Sequence, residues 1–320
     1  MFNEKHILVT GGAGFIGSHL VERLVATGAR VTVIDNLSTG KLDNLCSVLP
    51  RIELRVGDLG DLLQLDLVRL DDYDYVFHVA ANAYIPPSVE NPHFDFHMNL
   101  YNPLLLLERL RQSKCAPRLV NISSAAVYGN PMRLPIQEPD PTVPISPYGV
   151  SKLATERYVA VYCQLYGLRA TSLRLFSVYG PRQSKQVIFD LVRKLEADPL
   201  KLQVLGNGTQ ARDFTHVLDV TQAMMLAATR APGQGETYNV ASGTTYTIAE
   251  LVSKLSQLCH ATPQVVYSGQ VRPGDAERWE VDISQLKRLG FEASVSLEQG
   301  LASVLEWYRQ HVQPQLAPEQ

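Results

Sequence analysis

The glycine-rich segment TGGAGFIG, from Thr10 to Gly17, constrains the fold of this chain more than any other stretch. It follows a β-branched run directly and opens an amphipathic one, so it is predicted to turn from a strand into a helix. The G-x-x-G-x-x-G spacing of Gly11, Gly14 and Gly17 allows a tight turn and a close approach of backbone to a ligand. The free N–H groups at the start of the helix favour a pyrophosphate. The segment therefore predicts a dinucleotide site.

The second predicted strand, 30–35, ends in Asp35, at the spacing where an acid meets the ribose of a bound adenosine. A carboxylate there accepts hydrogen bonds from both ribose hydroxyls and repels a 2′-phosphate, so NAD is favoured over NADP. Asp58 follows the third predicted strand, where it could contact the adenine amino group or cap a helix, and both interpretations stay open. The sequence therefore predicts NAD as the cofactor.

The first half of the chain alternates short β-branched runs with longer amphipathic runs, which is the pattern of parallel βαβ units. The predicted strands are 6–10, 30–35, 52–57, 75–81, 118–124 and 169–176. The predicted helices are 15–27, 41–48, 60–70, 95–113 and 148–166, with further helices near 186–197, 219–230, 247–260 and 296–312. These elements indicate an α/β fold with a doubly wound parallel Rossmann sheet, whose functional loops lie at the carboxyl ends of the strands.

The composition excludes several classes of function. A formal net charge of -3 gives no basic face for a nucleic acid or an anionic membrane. The four cysteines are far apart in the sequence, so neither a disulfide framework nor a metal site is expected, and reduced thiols fit a cytoplasmic protein. The amino terminus lacks the features of a signal peptide, and no apolar run approaches the length of a membrane span.

The segment SPYGVSK places Tyr148 and Lys152 four residues apart, on one face of a predicted helix. A tyrosine with the usual pKa of about 10 is a poor base at neutral pH, but a neighbouring ammonium and a bound nicotinamide cation would both favour its phenolate. Lowering the pKa by roughly 3 units needs on the order of 4 kcal/mol of preferential interaction. With Ser124 at the end of the predicted strand 118–124, the pair forms a candidate catalytic group.

The chain resembles the extended short-chain dehydrogenase/reductases that act on nucleotide-activated sugars. The resemblance covers nearly the whole sequence and rests on segments in the family's order: TGGAGFIGSHL, VIDNLSTG, VFHVAA, SSAAVYG, SPYGVSK, FSVYGPRQ, GNGTQARDFTHVLDV, YNVASG and RPGD. It implies an NAD-binding Rossmann domain at 1–176, with returning segments near 212–240, and a smaller mixed α/β domain for the nucleotide sugar at 177–320. It also implies tightly held NAD and a homodimer whose four-helix bundle uses 95–113 and 148–166.

The resemblance also implies roles for individual residues. Tyr148 resembles the general base, Lys152 the residue that polarises it and binds the nicotinamide ribose, and Ser124 the hydroxyl that bridges substrate and base. The residues expected around NAD are Gly11, Gly14, Phe15, Ile16, Gly17, Asp35, Asn36, Asp58, Leu59, Ala80, Tyr148 and Lys152. The residues expected around the substrate are Tyr84, Ser124, Ala125, Ser177, Arg212, Arg272 and Asp275. Among them, Arg212 and Arg272 resemble the clamps of the diphosphate, and Asp275 resembles a residue that contacts the nucleoside ribose.

Two alanines follow Ser124 at the point where relatives carry acids or bases. The family's 4,6-dehydratases resemble TDEVYG here, its decarboxylases carry a Glu before VYG, and its 3,5-epimerases carry a Cys. The methyl groups of Ala125 and Ala126 cannot transfer a proton. The simplest remaining reaction is oxidation at C4 of the sugar and return of the hydride to the other face, which is 4-epimerisation of UDP-glucose/galactose or a UDP-N-acetylhexosamine.

Several alternatives stay open at the level of sequence. Another keto-sugar reaction, such as a 4,6-dehydration, a decarboxylation or an epimerisation at another carbon, could use an acid or base from a different loop. A glucuronate substrate would require a cation that binds its carboxylate, and Arg182 or Lys185 could provide it. The family usually has Asn where this chain has Ser177, and Tyr84 could either line the sugar pocket or shape its loop. His78 is interpreted as a core histidine whose hydrogen bonds are satisfied within the protein. The alternative to an enzyme is a catalytically silent NAD-binding regulator.

Overall fold

Short strands alternate with longer helices along the chain, and the computed structural model describes residues 2–270 and 277–316. The strands of this part of the chain are β1 (His6–Thr10), β2 (Arg30–Asp35), β3 (Ile52–Val56), β4 (Tyr75–His78), β5 (Arg118–Ser124), β6 (Ala170–Leu175), β7 (Ser177–Tyr179), β8 (Lys201–Val204), β9 (Ala211–His216), β10 (Gln234–Val240), β11 (Thr245–Thr247) and β12 (Gln264–Tyr267). The helices are α1 (Phe15–Ala26), α2 (Leu59–Gln64), α3 (Ile85–Glu90), α4 (Pro92–Phe96), α5 (Asn102–Gln112), α6 (Pro147–Tyr166), α7 (Gln186–Ala197), α8 (Val217–Arg230), α9 (Ile248–Leu258), α10 (Ser284–Arg288), α11 (Leu297–His311) and α12 (Gln313–Leu316).

Seven parallel strands form the central sheet, in the order β10-β6-β5-β4-β1-β2-β3. Parallel sheets are covered by helices on both faces, which explains why the inner strands are β-branched and almost wholly buried. The strand order reverses between β1 and β4, and a crevice opens there beyond the carboxyl ends of the strands. The predicted α/β Rossmann fold is confirmed.

A second hydrophobic cluster lies outside the central sheet. Helices α7, α9 and α11 bury one apolar face each against it, together with strands β8 and β9. Three-stranded (β11-β9-β7) and two-stranded (β12-β8) sheets complete this part of the chain. After α8 the chain returns to the central sheet, where strand β10 pairs with β6. The domain division at 1–176 and 177–320 stays a prediction.

Four predicted elements differ from the structure. Strand β4 ends at His78 instead of 81, and the helix expected at 60–70 ends at Gln64. The helix expected at 41–48 is a single 3-10 turn, Leu42–Leu45. The helix expected at 95–113 begins at Pro92 and contains a π-helical turn, His97–Tyr101, between α4 and α5.

No helix in the described ranges is long and apolar enough to cross a membrane.

Candidate active site

A cleft of about 1480 Å³ lies at the carboxyl ends of the central strands and continues over β7, β8 and α7. Every predicted site residue that the structure describes lines it: Gly11, Gly14, Phe15, Ile16, Gly17, Asp35, Asn36, Asp58, Leu59, Ala80, Tyr84, Ser124, Ala125, Tyr148, Lys152, Ser177 and Arg212. Arg272 and Asp275 lie outside the described residues. The expected cofactor and substrate residues thus share one cavity.

The glycine loop is packed directly against the backbone that follows β4. Gly11 has a φ of 71°, and a Cβ built on it would lie 2.6 Å from the amide nitrogen of Ala80. A Cβ on Gly17 would collide with the Gly11 carbonyl, so the first helical turn sits against the loop. A Cβ on Gly14 would meet only the Gly11 carbonyl, at 3.2 Å, so this side of the loop is open. The arrangement fits a pyrophosphate at the start of α1.

Asp35 ends β2 and is only 7% exposed. Its carboxylate accepts hydrogen bonds from the amides of Ala13 (2.9 Å) and Leu37 (2.8 Å), one on each oxygen. Each oxygen keeps a lone pair for a further donor, such as a ribose hydroxyl. Asp58 caps α2 by accepting a bond from the Gly60 amide (2.8 Å), which is one of its two predicted roles, and it also borders the cleft.

The first turn of α6 brings Tyr148 and Lys152 together beside the end of β5. Ser146 caps this helix by accepting a hydrogen bond from the Gly149 amide (3.1 Å). Ser124 lies close enough to Tyr148 to lower its pKa through the two hydroxyls. The Lys152 ammonium donates to the Ile122 carbonyl (2.9 Å) and lies 5.9 Å from the centre of the Tyr148 ring. Both side chains are buried, so the predicted catalytic group is assembled in a site shielded from water.

Burial dominates the ionisation of both residues. It raises the pKa of Tyr148 to about 12, with the Ser124 hydrogen bond opposing and the charge of Asp95 adding to the shift. Burial lowers the pKa of Lys152 to about 8, and the charges of Asp95 and Glu156 oppose that shift. The pKa of Tyr148 in the chain alone is therefore raised, because desolvation is the largest effect on it; the predicted lowering also invoked a bound nicotinamide cation.

The segment after β5 offers no acid or base beside Ser124, although Glu90 and Asp190 line other parts of the cleft. Ser124 ends β5 and caps the 3-10 turn that contains Ala125 and Ala126, and both alanines line the cleft next to this serine. Ser177 lies at the start of β7. The ammonium of Lys185 lies 4.5 Å from the centre of the Tyr84 ring.

Among the residues that the structure describes, three arginines line the cleft, and each contacts the protein itself; Arg193 pairs with Asp190 (2.8 Å). Arg182, at φ 72°, donates to Ser18 (3.1 Å) and Glu22 (2.7 Å) on α1. Arg212 donates to the carbonyls of Ala211 (2.9 Å) and Glu277 (3.1 Å) while it borders the cleft. Arg182 is thus paired with an acid, which makes Lys185 the better placed cation for a negatively charged sugar.

His78 borders the cleft as a partly satisfied histidine. Its Nδ1 lies 2.8 Å from the Thr10 hydroxyl, but its Nε2 is buried and has no partner in the part of the chain that the structure describes. Burial lowers the pKa of His78 to about 3, so the ring is neutral. The prediction of a fully satisfied core histidine is wrong for Nε2.

Sequence reasoning missed two buried carboxylates close to Lys152. Glu156 lies one turn further along α6, and its i,i+4 spacing from Lys152 was available as a signal. Asp95 comes from α4, and no local pattern links it to Lys152. Within residues 2–270 and 277–316, no cluster of three or more His, Cys, Asp or Glu side chains could hold a metal ion.

Comparisons with known proteins agree with this geometry. The model of the NAD dependent epimerase/dehydratase family matches residues 7–241. A UDP-glucose 4-epimerase of Mycolicibacterium smegmatis is 32% identical over 308 residues, covering 94% of this chain and 98% of that relative. The solved UDP-N-acetylglucosamine 4-epimerase from Methanobrevibacter ruminantium, in complex with UDP-N-acetylmuramic acid, superposes with a TM-score of 0.89 at 32% identity, covering 97% and 100% of the two chains. The UDP-glucose 4-epimerase of Thermus thermophilus, in complex with NAD, gives 0.84 at 35% identity, covering 96% and 100%.

Proposed function

Because the chain belongs to the NAD-dependent epimerase/dehydratase family and uses NAD as its cofactor, we propose that it is a nucleoside-diphosphate-sugar 4-epimerase. UDP-glucose/galactose or a UDP-N-acetylhexosamine are the favoured substrates, in line with similar proteins that carry those names. The single observation that carries the proposal is the pair of methyl groups, Ala125 and Ala126, beside Ser124. They leave the redox centre without a second acid or base at the position where dehydratases of this family carry one.

In the proposed mechanism, Tyr148 removes one proton from the sugar and later returns it. Its phenolate takes the proton of the C4 hydroxyl, with Ser124 hydrogen-bonded to both, and later returns that proton to C4 oxygen. Lys152 stabilises the phenolate by its charge. NAD, when bound, would supply the acceptor of the C4 hydride, the donor of that hydride to the opposite face of the 4-keto sugar, and a nicotinamide cation that favours the phenolate. Protons and hydride balance over the cycle, and the small side chains at 125 and 126 leave room for the sugar to turn.

The remaining predicted residues are proposed to hold the two nucleotides. The glycine loop and the start of α1 take the pyrophosphate of NAD, and Asp35 takes its ribose. Arg212, together with Arg272, is proposed to clamp the diphosphate of the substrate, since planar guanidinium groups suit phosphate oxygens.

The test is product analysis with purified protein and no added NAD. A panel of UDP-, GDP- and dTDP-hexoses, their N-acetyl forms and UDP-glucuronate is incubated and followed by NMR for the C4 isomer. UDP-glucuronate is included because Lys185 borders the cleft at Tyr84. A 4-keto-6-deoxy sugar or released carbon dioxide contradicts the 4-epimerase proposal. If no sugar turns over, the rival interpretation of a silent NAD-binding regulator is favoured.

Tyr148→Phe is expected to lower turnover at least about 100-fold, because the base is lost while the ring is retained. The matched control is Tyr75→Phe. Tyr75 is the first residue of β4, so it lies at the end of the strand opposite to the cleft. Epimerisation rates of the two variants at saturating substrate check the prediction. Intact turnover in Tyr148→Phe would show that another group is the base.

We also propose a homodimer through the helical face formed by α4, α5 and α6. Large apolar side chains are exposed along this face, namely Phe94, Phe96, Tyr101, Tyr158, Val161, Leu165 and Tyr166. An exposed apolar patch of this kind is typical of a protein–protein interface.

We also propose that the protein is located in the cytoplasm. The thiols of Cys46 and Cys115 are free and exposed, which suits a reducing compartment.

A further inference from the structure

A fully buried carboxylate lies behind the catalytic helix and is not used by the mechanism above. Asp95, on α4, is 0% exposed. One of its oxygens accepts hydrogen bonds from the side-chain amides of Asn99 (2.6 Å) and Asn82 (3.3 Å). The other accepts a hydrogen bond from the Ser151 hydroxyl (2.9 Å). Ser151 directly precedes Lys152 on α6.

These contacts join three elements around the catalytic pair. Asn99 exchanges hydrogen bonds with the backbone of Asn82, in the loop after β4 that borders the cleft (3.0 Å each). The carbonyl of Asn99 accepts a bond from Thr155 (2.8 Å), on the same face of α6 as Tyr148 and Lys152. Asp95 is therefore fixed against α6 by a rigid set of short hydrogen bonds.

The surroundings of Lys152 make Asp95 its most important anion. Its one described hydrogen-bond partner, the Ile122 carbonyl, is neutral. Glu156 also acts on Lys152, but its carboxylate is engaged by the Arg174 guanidinium (2.7 and 3.0 Å), which balances its charge.

Asp95, in contrast, is held by three neutral side chains, so its charge is not balanced by its hydrogen-bond partners. From β4, His78 faces Lys152 as a neutral ring, and Tyr148, on α6 itself, faces it as a neutral phenol. Asp95 is thus the uncompensated negative charge near the buried ammonium.

We propose that Asp95 is a positioning residue that keeps Lys152 in its charged form and anchors α6 to the loop after β4. The inference rests on the proposed catalytic roles of Tyr148 and Lys152. Its charge acts on both members of the pair in the same direction: it favours the ammonium of Lys152 and opposes the phenolate of Tyr148. Removal of the charge should therefore lower the pKa of both groups.

The test is Asp95→Asn, which keeps the size of the side chain and one accepting oxygen but removes its charge; the new amide NH2 is a donor, from which the Ser151 hydroxyl can accept a hydrogen bond. In the NAD-bound enzyme, both limbs of the pH profile of kcat are expected to move to lower pH, by about one unit. At the pH of the wild-type alkaline midpoint, kcat should fall about five-fold, since the charged fraction of Lys152 drops from half to roughly a tenth. A purely structural role would lower stability without moving either limb.

A second measurement does not depend on turnover. The titration of ε-13C-labelled Lys152 is followed by NMR in the NAD-bound protein, with the signal assigned by its loss in Lys152→Met. Its midpoint should fall by about one unit in Asp95→Asn. An unchanged midpoint overturns the inference. If the midpoint moves but no sugar is epimerised by the wild-type protein, the proposed function fails and the inference about Lys152 stands.

Ser151→Ala is the matched control, because it removes a hydrogen bond to Asp95 and retains the charge. Its Lys152 midpoint is expected to stay close to that of the wild type while its melting temperature falls. If Asp95→Asn does not fold, Asp95→Ser serves as the charge-free variant with the same expected shift. An equal shift in Ser151→Ala and the charge-free variant would contradict a role for the charge.

Discussion

At the scale of single residues, Ser123 and Ser124 are neighbours in sequence but act on different groups. Ser124 lies beside Tyr148 and lowers its pKa, whereas Ser123 donates to Glu156, further along the same helix, α6. Successive side chains of a strand point to opposite faces, which separates the two hydroxyls. Ser124 is therefore the serine proposed for catalysis, and Ser123 belongs to the buried interior.

Ser124→Ala is expected to raise the pKa of Tyr148 further, because the lost hydrogen bond favours the phenolate. The acidic limb of the kcat profile should move to higher pH, and kcat at neutral pH should fall at least about ten-fold. Ser123→Ala is the control: it should lower the free energy of unfolding by about 1–3 kcal/mol and leave the acidic limb in place. Equal profiles for the two variants would contradict the assignment.

His78 makes stability depend on pH. The folded protein keeps this ring neutral down to about pH 3, whereas the unfolded chain protonates it near pH 6.5. Between these values the unfolded state binds more protons, so stability is lost as the pH falls below about 6.5, by up to about 1.4 kcal/mol per pH unit. Urea unfolding of wild type and His78→Asn at pH 6.5 and pH 5 should show a smaller loss in the variant. His260→Asn, at an exposed position, should retain the wild-type loss.

Many of the predicted site residues that line the cleft share one property. They end a strand, follow one directly or lie at the start of a helix, as Asp35, Gly11 and Tyr148 do, so the parallel sheet brings them to the same end of its strands. Asp95 could not be predicted, because its contact with Ser151 depends on how two helices far apart in sequence pack together.

At the scale of elements, one buried ion pair ties α6 to the sheet. Glu156 accepts bonds from Arg174 of β6, and the same guanidinium donates to Tyr128 (2.7 Å) and to the Glu138 carbonyl (3.0 Å). Both charged side chains are almost fully buried. Their desolvation is offset only while each partner is present.

Glu156→Gln is therefore expected to lower the free energy of unfolding by about 3–5 kcal/mol, since it leaves a buried guanidinium without its counter-ion. The comparison is Glu280→Gln, which breaks an exposed pair with Arg278 and should change it by about 1 kcal/mol or less. Urea denaturation of the two variants measures the difference. Similar values would show that the buried pair adds no more than a surface pair.

The elements that the sequence mispredicted are those in which a tertiary contact overrides a local pattern. The turn at Leu42–Leu45 is held to the glycine loop, because the Ala13 carbonyl accepts bonds from the Lys41 amide (3.0 Å) and the Asn44 side chain (2.8 Å). Strand β4 stops at His78 because the next residues leave the sheet to meet Gly11. Neither contact is encoded in the apolar periodicity of its own segment.

At the scale of the whole molecule, the proposed dimer depends on the helical face of α4, α5 and α6. Leu165, on α6, and Leu200, before β8, are both 65% exposed. Leu165→Glu places a charge in the proposed interface and is expected to shift the protein from twice the 35.5 kDa of one chain to the monomer. Leu200→Glu should leave the mass unchanged, and sedimentation velocity distinguishes the two. A wild-type monomer would exclude the proposed dimer.

The order of strands in the central sheet was predictable from the alternation of strands and helices, since right-handed βαβ units allow few arrangements. The return of β10 to the edge beside β6 was anticipated only as a segment near 212–240. Its place depends on the packing of two halves of the chain, which no local signal reports.

The end of β5 carries both the Ile122 carbonyl that holds Lys152 and the hydroxyl that contacts Tyr148. β5 continues past its last pairing with β4 and remains paired with β6 as far as Ser124. The proposed proton transfer thus depends on the register of a central strand, whereas Tyr84 and Lys185, proposed for the sugar, lie outside the strands. In evolutionary terms, such an enzyme can diversify its substrates by mutation of loops, but its acid–base chemistry is inherited together with the fold.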